Sequence, residues 1–125
     1  MRFSNLEEKM IKNLEQNYIS VVLVINDDNS QVEKKINEIK KVLNNNFKSS
    51  EIVIVDNTAK VDSLESLKSL NFKHTEIKLP IKHRTQQALN AGTAIAIGDY
   101  IVEIEDISFD IDYNKIIEML HKNEK

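Results

Sequence analysis

Apolar residues fall along this chain in two rhythms. Residues 18–26 (YISVVLVIN) and 51–56 (EIVIVD) are nearly continuous runs rich in β-branched residues, the pattern of strands buried on both faces of a mostly parallel sheet. Elsewhere the spacing is three and four. Val32, Ile36, Ile39 and Leu43 predict a helix that starts from a capping box at Ser30 and Glu33 and runs to about Phe47. Asp62 and Glu65, at the same spacing, predict the cap of a short helix carrying Leu64, Leu67 and Leu70. Residues 75–79 alternate as an edge-like strand ended by Pro80. Residues 84–97 predict a helix whose alanines allow close packing on a sheet, with Gly98 as its stop signal. Residues 99–105 (DYIVEIE) read as a fourth strand. A helix over 3–16, with Ser4 and Glu7 as its capping box and Phe3, Leu6, Met10 and Leu14 on one face, precedes these elements. Another over 113–122, carrying Ile116, Ile117 and Leu120, follows them. Strands alternating with helices predict right-handed βαβ units and an α/β fold.

Composition narrows the field. A chain of 125 residues that is 41% hydrophobic and 30% charged suits one globular domain. It has no cysteine, which excludes a disulfide scaffold, thiol catalysis and a zinc–thiolate site and fits a reducing compartment. The net charge of -3 argues against a nucleic-acid partner, which calls for a basic surface. No apolar run reaches the roughly 18 residues of a membrane span, and the first ten residues lack the apolar core of a signal peptide. The expected location is the cytoplasm. With two glycines and one proline in the chain, the positions of those three residues carry unusual weight.

In open α/β sheets ligands bind beyond the carboxyl ends of the strands. Three such ends are rich in carboxylates and amides here: Asn26, Asp27 and Asp28 after the first strand, Asp56 and Asn57 after the second, Glu105 and Asp106 after the fourth. Each residue alone suits an ordinary turn or helix cap. Their joint placement points to a rim able to hydrogen-bond a base and ribose, or to hold a hard cation. Neither G-x-G-x-x-G nor G-x-x-x-x-G-K-[ST] occurs, so phosphates would be met by side chains. Arg84 suits that task at the start of its helix. Lys82, His83, His74 and His121 read as surface residues.

These same segments resemble family 2 glycosyltransferases. YISVVLVINDD is similar to the family's first strand and turn, EIVIVDNTAKVD to its second-strand acidic segment, and RTQQALNAGTAIAIGDYIVEIED to the Ala-Leu-Asn-x-Gly helix that leads through Gly-Asp-Tyr-Ile to the metal motif. Both glycines, Gly92 and Gly98, fall on the pattern of the last segment. The resemblance implies a three-layer, Rossmann-like GT-A half-domain with strand order 3-2-1-4, carrying an extra N-terminal helix. It further implies binding of a UDP- or GDP-type nucleotide sugar and inverting transfer of the sugar to an acceptor, with magnesium or manganese. By position, Asn26 and Asp27 would lie near base and ribose, Asp56 would bond the base, Asn57 would belong to the nucleotide-sugar site, Arg84 would lie near the diphosphate, and Glu105 and Asp106 would be the metal-motif carboxylates, Asp106 also contacting the nucleotide sugar.

The chain departs from the pattern at several places. Leu23 and Ile25 stand for a proline and a tyrosine, Asn57 for the second aspartate, and Ile107 for a metal ligand, a role no isoleucine can fill. The resemblance spans about residues 18–107, the donor-binding half of the family's domain, so the acceptor half and the catalytic base are expected elsewhere. Two readings stand: the donor part of an enzyme, and a non-catalytic binding or assembly module. A half-domain of this kind is also expected to pair with a second copy or a partner chain.

Overall fold

The computed structural model describes residues 16–28 and 31–105. The expected helices over 3–16 and 113–122, with Ser30, Asp106 and Ile107, lie outside these residues, Gln16 apart. Strand β1 (Ile19–Ile25) is buried at every position, as its unbroken apolar run requires. It is followed by α1 (Val32–Asn46), β2 (Ser50–Asp56), a 3-10 helix (Glu65–Ser69), β3 (Thr75–Lys78), α2 (Thr85–Thr93) and β4 (Tyr100–Ile104). The sheet order is β3-β2-β1-β4 and every pairing is parallel. Ile19 sits opposite Ser50 on one side and Tyr100 on the other.

The pleat sorts side chains into two layers. Ile19, Val21, Leu23 and Ile25 join Ile52, Ile54 and Val102 under the apolar stripe of α1 and Leu67 of the 3-10 helix. Val22, Val24, Val53 and Val55 face the other way, against Ala88 and Leu89 of α2. The molecule is thus a three-layer α/β domain with the Rossmann-like order 3-2-1-4.

The elements agree with their apolar periodicity, while their ends follow other contacts. Helix α1 begins after Gln31 with no side-chain cap, and Glu33 accepts from the Ser69 hydroxyl at 2.7 Å. Asp62 does not cap the 3-10 helix either. Leu64 occupies the cap position in a left-handed conformation (φ 60°), and its N–H donates to Asp28 Oδ2 at 2.8 Å. Helix α2 ends at Thr93, short of the expected 97, because the chain tightens into three-residue bonds: Ile95 N–H to the Gly92 carbonyl and Ala96 N–H to the Thr93 carbonyl.

Both glycines are demanded by close approach to β1. A Cβ on Gly92 would stand 2.3 Å from Val22 Cγ1 and 2.9 Å from Val55 Cγ2, and one on Gly98 would stand 2.7 Å from the Ser20 backbone nitrogen. Gly98 therefore anchors the α2–β4 connection instead of stopping the helix. Its N–H donates to Ser20 Oγ at 2.8 Å, Ser20 Oγ donates to Glu51, and Glu51 accepts the Ile97 N–H at 2.7 Å. No helix among the described residues is long and apolar enough to cross a membrane.

Candidate functional site

The carboxyl ends of the four strands form one rim. Its sharpest feature is the place where β1 and β4 lie side by side although the connections around them run to opposite faces: α1 follows β1 on one face, and α2 leads into β4 on the other. Such a switch of direction opens a crevice beyond the strand tips. The groups at this point are Asn26 and Asp27 from β1, Glu105 from β4, and the loop 79–84 that leads into α2.

Asn57 organises the rim. It is fully buried, and the pleat directs it to the α2 side. Its Oδ1 accepts the His83 N–H at 2.9 Å, while its Nδ2 donates to the His83 carbonyl at 2.9 Å and to Asn26 Oδ1 at 2.9 Å. His83, whose backbone N–H is a donor and whose carbonyl is an acceptor, settles which way round the amide sits. The result ties the β1 tip, the β2 tip and the start of α2 into one unit. Arg84, the residue after His83, is the cap position of α2, exposed and extended (φ -63°, ψ 148°), with no side-chain cap bond and no acidic residue in the first turn. The amino end of α2 thus keeps N–H groups that no side chain caps, beside an exposed guanidinium.

Asp56 belongs to the opposite layer. It follows Ile52 and Ile54 in the pleat and is only 4% exposed. Oδ1 accepts the Thr58 N–H at 3.0 Å and the Thr58 hydroxyl at 2.7 Å; Oδ2 accepts the Ser63 hydroxyl at 2.6 Å and stands 3.3 Å from Lys78 Nζ. Burial pushes this carboxyl up, but the bonds from Ser63, from Thr58 and from Lys78 outweigh it and hold it below the usual carboxylate range. Four donors use the four lone-pair sites of a carboxylate. A base N–H would reach Asp56 only by displacing one of them, from the side of an open cleft of about 290 Å³ that Asp56 lines with Ser63, Lys68 and Lys78.

The structure therefore divides the residues expected to share a site. Asn26, Asn57 and the Arg84 backbone come together on the α2 side; Asp27 and Glu105 are exposed at the tips of β1 and β4; Asp56 works from the far face. His83, read from the sequence as a surface residue, supplies the backbone N–H and carbonyl that Asn57 grips. Asp28, Thr58, Ser63 and Lys78 were not signalled as a group, because their partnership depends on the path of loop 57–64, where Ala59 and Leu64 both take φ 60°. For a magnesium or manganese ion, Glu105 is the one expected carboxylate within the described residues, and no group of three or more His, Asp or Glu among them is arranged to hold a metal. In comparisons with known proteins, no protein-family model, no curated protein and no solved structure matches this chain.

Proposed function

We propose that the domain binds a nucleoside-diphosphate sugar at the carboxyl rim of its sheet, as the donor-binding module of a glycosyltransferase-like protein. The observation that carries this reading is the Asn57 unit, which brings the tip of β1 and the start of α2 together at the switch point. Asn26 and Asp27 face base and ribose, and the Arg84 guanidinium and the first amides of α2 meet the diphosphate. Asp56 contributes by shaping loop 57–64, with its base contact conditional on exchanging one donor. Magnesium or manganese, if used, would be held by Glu105 and Asp106.

A second reading, a module that binds without catalysing transfer, is favoured by Ile107, which stands where the resemblance calls for a metal ligand. A partner chain or second copy fits either reading, since Ile97, before strand β4, and Ile101, within it, are 73% and 42% exposed. The cysteine-free composition suits work in the cytoplasm.

Calorimetric titration with UDP- and GDP-sugars, with and without manganese, tests the proposal. One of them should bind, and Arg84→Ala should weaken the diphosphate about ten- to a hundredfold, the value of one charge-assisted hydrogen bond, while leaving the bare nucleoside nearly unchanged. Failure of every nucleotide to bind at millimolar concentration would exclude this reading. Binding that needs no manganese, with no sugar released or transferred, would select the module.

A further inference from the structure

We infer that Asn57 is the positioning residue of this rim: it sets the spacing between Asn26 at the tip of β1 and Arg84 at the head of α2, and an aspartate in its place would undo that spacing. The inference rests on the ligand reading above for its functional half, and on the hydrogen bonds alone for its structural half.

The amide of Asn57 has two hydrogens and one oxygen to place, and all are used within the protein. Both donors are taken, by the His83 carbonyl and by Asn26 Oδ1, and the oxygen takes the His83 N–H. The backbone N–H of Asn57 extends the β1–β2 ladder by donating to the Ile25 carbonyl at 2.9 Å. The side chain therefore starts from a backbone locked to β1 and ends on the peptide that precedes Arg84. The two bonds reach the N–H and the carbonyl of one residue, which belong to the two peptides flanking it, and together they fix the position and tilt of the His83 backbone, which a single bond would not. Arg84 makes no side-chain cap bond to α2, so the direction in which its Cα–Cβ bond leaves the backbone is inherited from the gripped backbone of His83.

An aspartate has the same shape and the opposite chemistry. It can accept the His83 N–H, but it cannot donate to the His83 carbonyl or to Asn26 Oδ1, and it places a charge against both oxygens. This gives a physical reason for the asparagine where the resembled sequences carry an acid. Here His83 presents a backbone N–H and a carbonyl side by side, and only an amide matches both.

The position acts on ligand through Arg84, so it should alter phosphate recognition selectively. The experiment compares UDP and GDP with uridine and guanosine, by titration, on the wild-type chain and on Asn57→Ala, Asn57→Asp, Arg84→Ala and the Asn57→Ala/Arg84→Ala pair. Hydrogen exchange at the His83 amide is followed in parallel. Asn57→Ala should lower diphosphate affinity about tenfold with little change for the nucleoside, and should cost nothing further once Arg84 is absent, the non-additivity expected of residues that act as a unit. Asn57→Asp should be no better than Asn57→Ala. In both variants His83 exchange should speed up.

Equal losses for diphosphate and nucleoside, or losses that add in the double variant, would mean that Asn57 only stabilises the fold, and the inference falls. If the wild-type chain binds no nucleotide, the ligand reading fails, and the grip is then judged by exchange alone. Slow exchange at His83 that becomes fast in Asn57→Ala sustains it; equal exchange ends it. Should Asn57→Ala not fold, Asn57→Gln, which keeps the amide one methylene further out, supplies the same comparison without a cavity.

Discussion

Asp56 and Asn57 are neighbours in sequence and serve opposite faces of the sheet. The acid gathers Thr58, Ser63 and Lys78 on one side, and the amide grips His83 on the other. Because the Asp56 carboxyl titrates below its ordinary range in the folded state, its contribution to stability is complete above the unfolded value of about 3.9 and is lost as the pH falls through the lower folded value. Asp56→Asn should therefore cost about 1–3 kcal/mol near neutral pH, the usual penalty for leaving buried hydrogen-bonding groups mismatched. The gap from wild type in urea unfolding should narrow below about pH 4; a gap that stays constant down to pH 2 would show that the charge of Asp56 plays no part. The sequence singled out Asp56, Asn57 and Arg84, since acids and amides at strand ends are conspicuous. It did not reveal that Asp56 and Asn57 spend their bonding capacity within the chain. That depends on where loops 57–64 and 79–84 travel, and loop paths leave no periodic signal.

At the scale of elements, existence and type were legible and ends were not. The apolar runs of β1 and β2, the stripe of α1 and the small residues of α2 each answer to burial, which a pattern records directly. Capping boxes are short and local, and here long-range partners replaced them: Asp28 reaches Leu64, and Ser69 occupies Glu33. Helix α2 shows how a single atom sets an interface. Gly92 lets its backbone lie on Val22 and Val55, two branched side chains with little rotameric freedom to yield. Gly92→Ala should thus destabilise the domain by about 1–3 kcal/mol, measured as a lower urea midpoint, even though alanine is the better helix former by about 1 kcal/mol. A midpoint that rises would mean that α2 stands further from the sheet than described. Pairing the change with Val22→Ala should restore part of the loss, since the nearest atom in the way is then gone.

For the whole molecule, the parallel sheet and its order 3-2-1-4 agree with the order that the resemblance implied, and the three-layer build follows from βαβ alternation with one change of face. The same order has a consequence for how the domain forms. Strand β1 is central, yet its two neighbours lie at very different distances along the chain: the rim bond between Asn26 and Asn57 spans 31 residues, whereas the bond from the Tyr18 N–H to Asp99 spans 81. Closing the larger loop costs more chain entropy, although the cost grows only with the logarithm of length, and parallel pairings of this kind are slow to nucleate. The β1–α1–β2 unit should therefore assemble first, with β4 joining as a late event. Substitutions test this by how they divide between rates. Ile39→Val or Val53→Ala should slow refolding, while Val102→Ala should leave the refolding rate nearly unchanged and speed unfolding. A strong slowing of refolding by Val102→Ala would overturn that sequence of events. On this account β1 spends part of every folding reaction with one flank unpaired, and the Gly98–Ser20 contact is among the last closures that hide it.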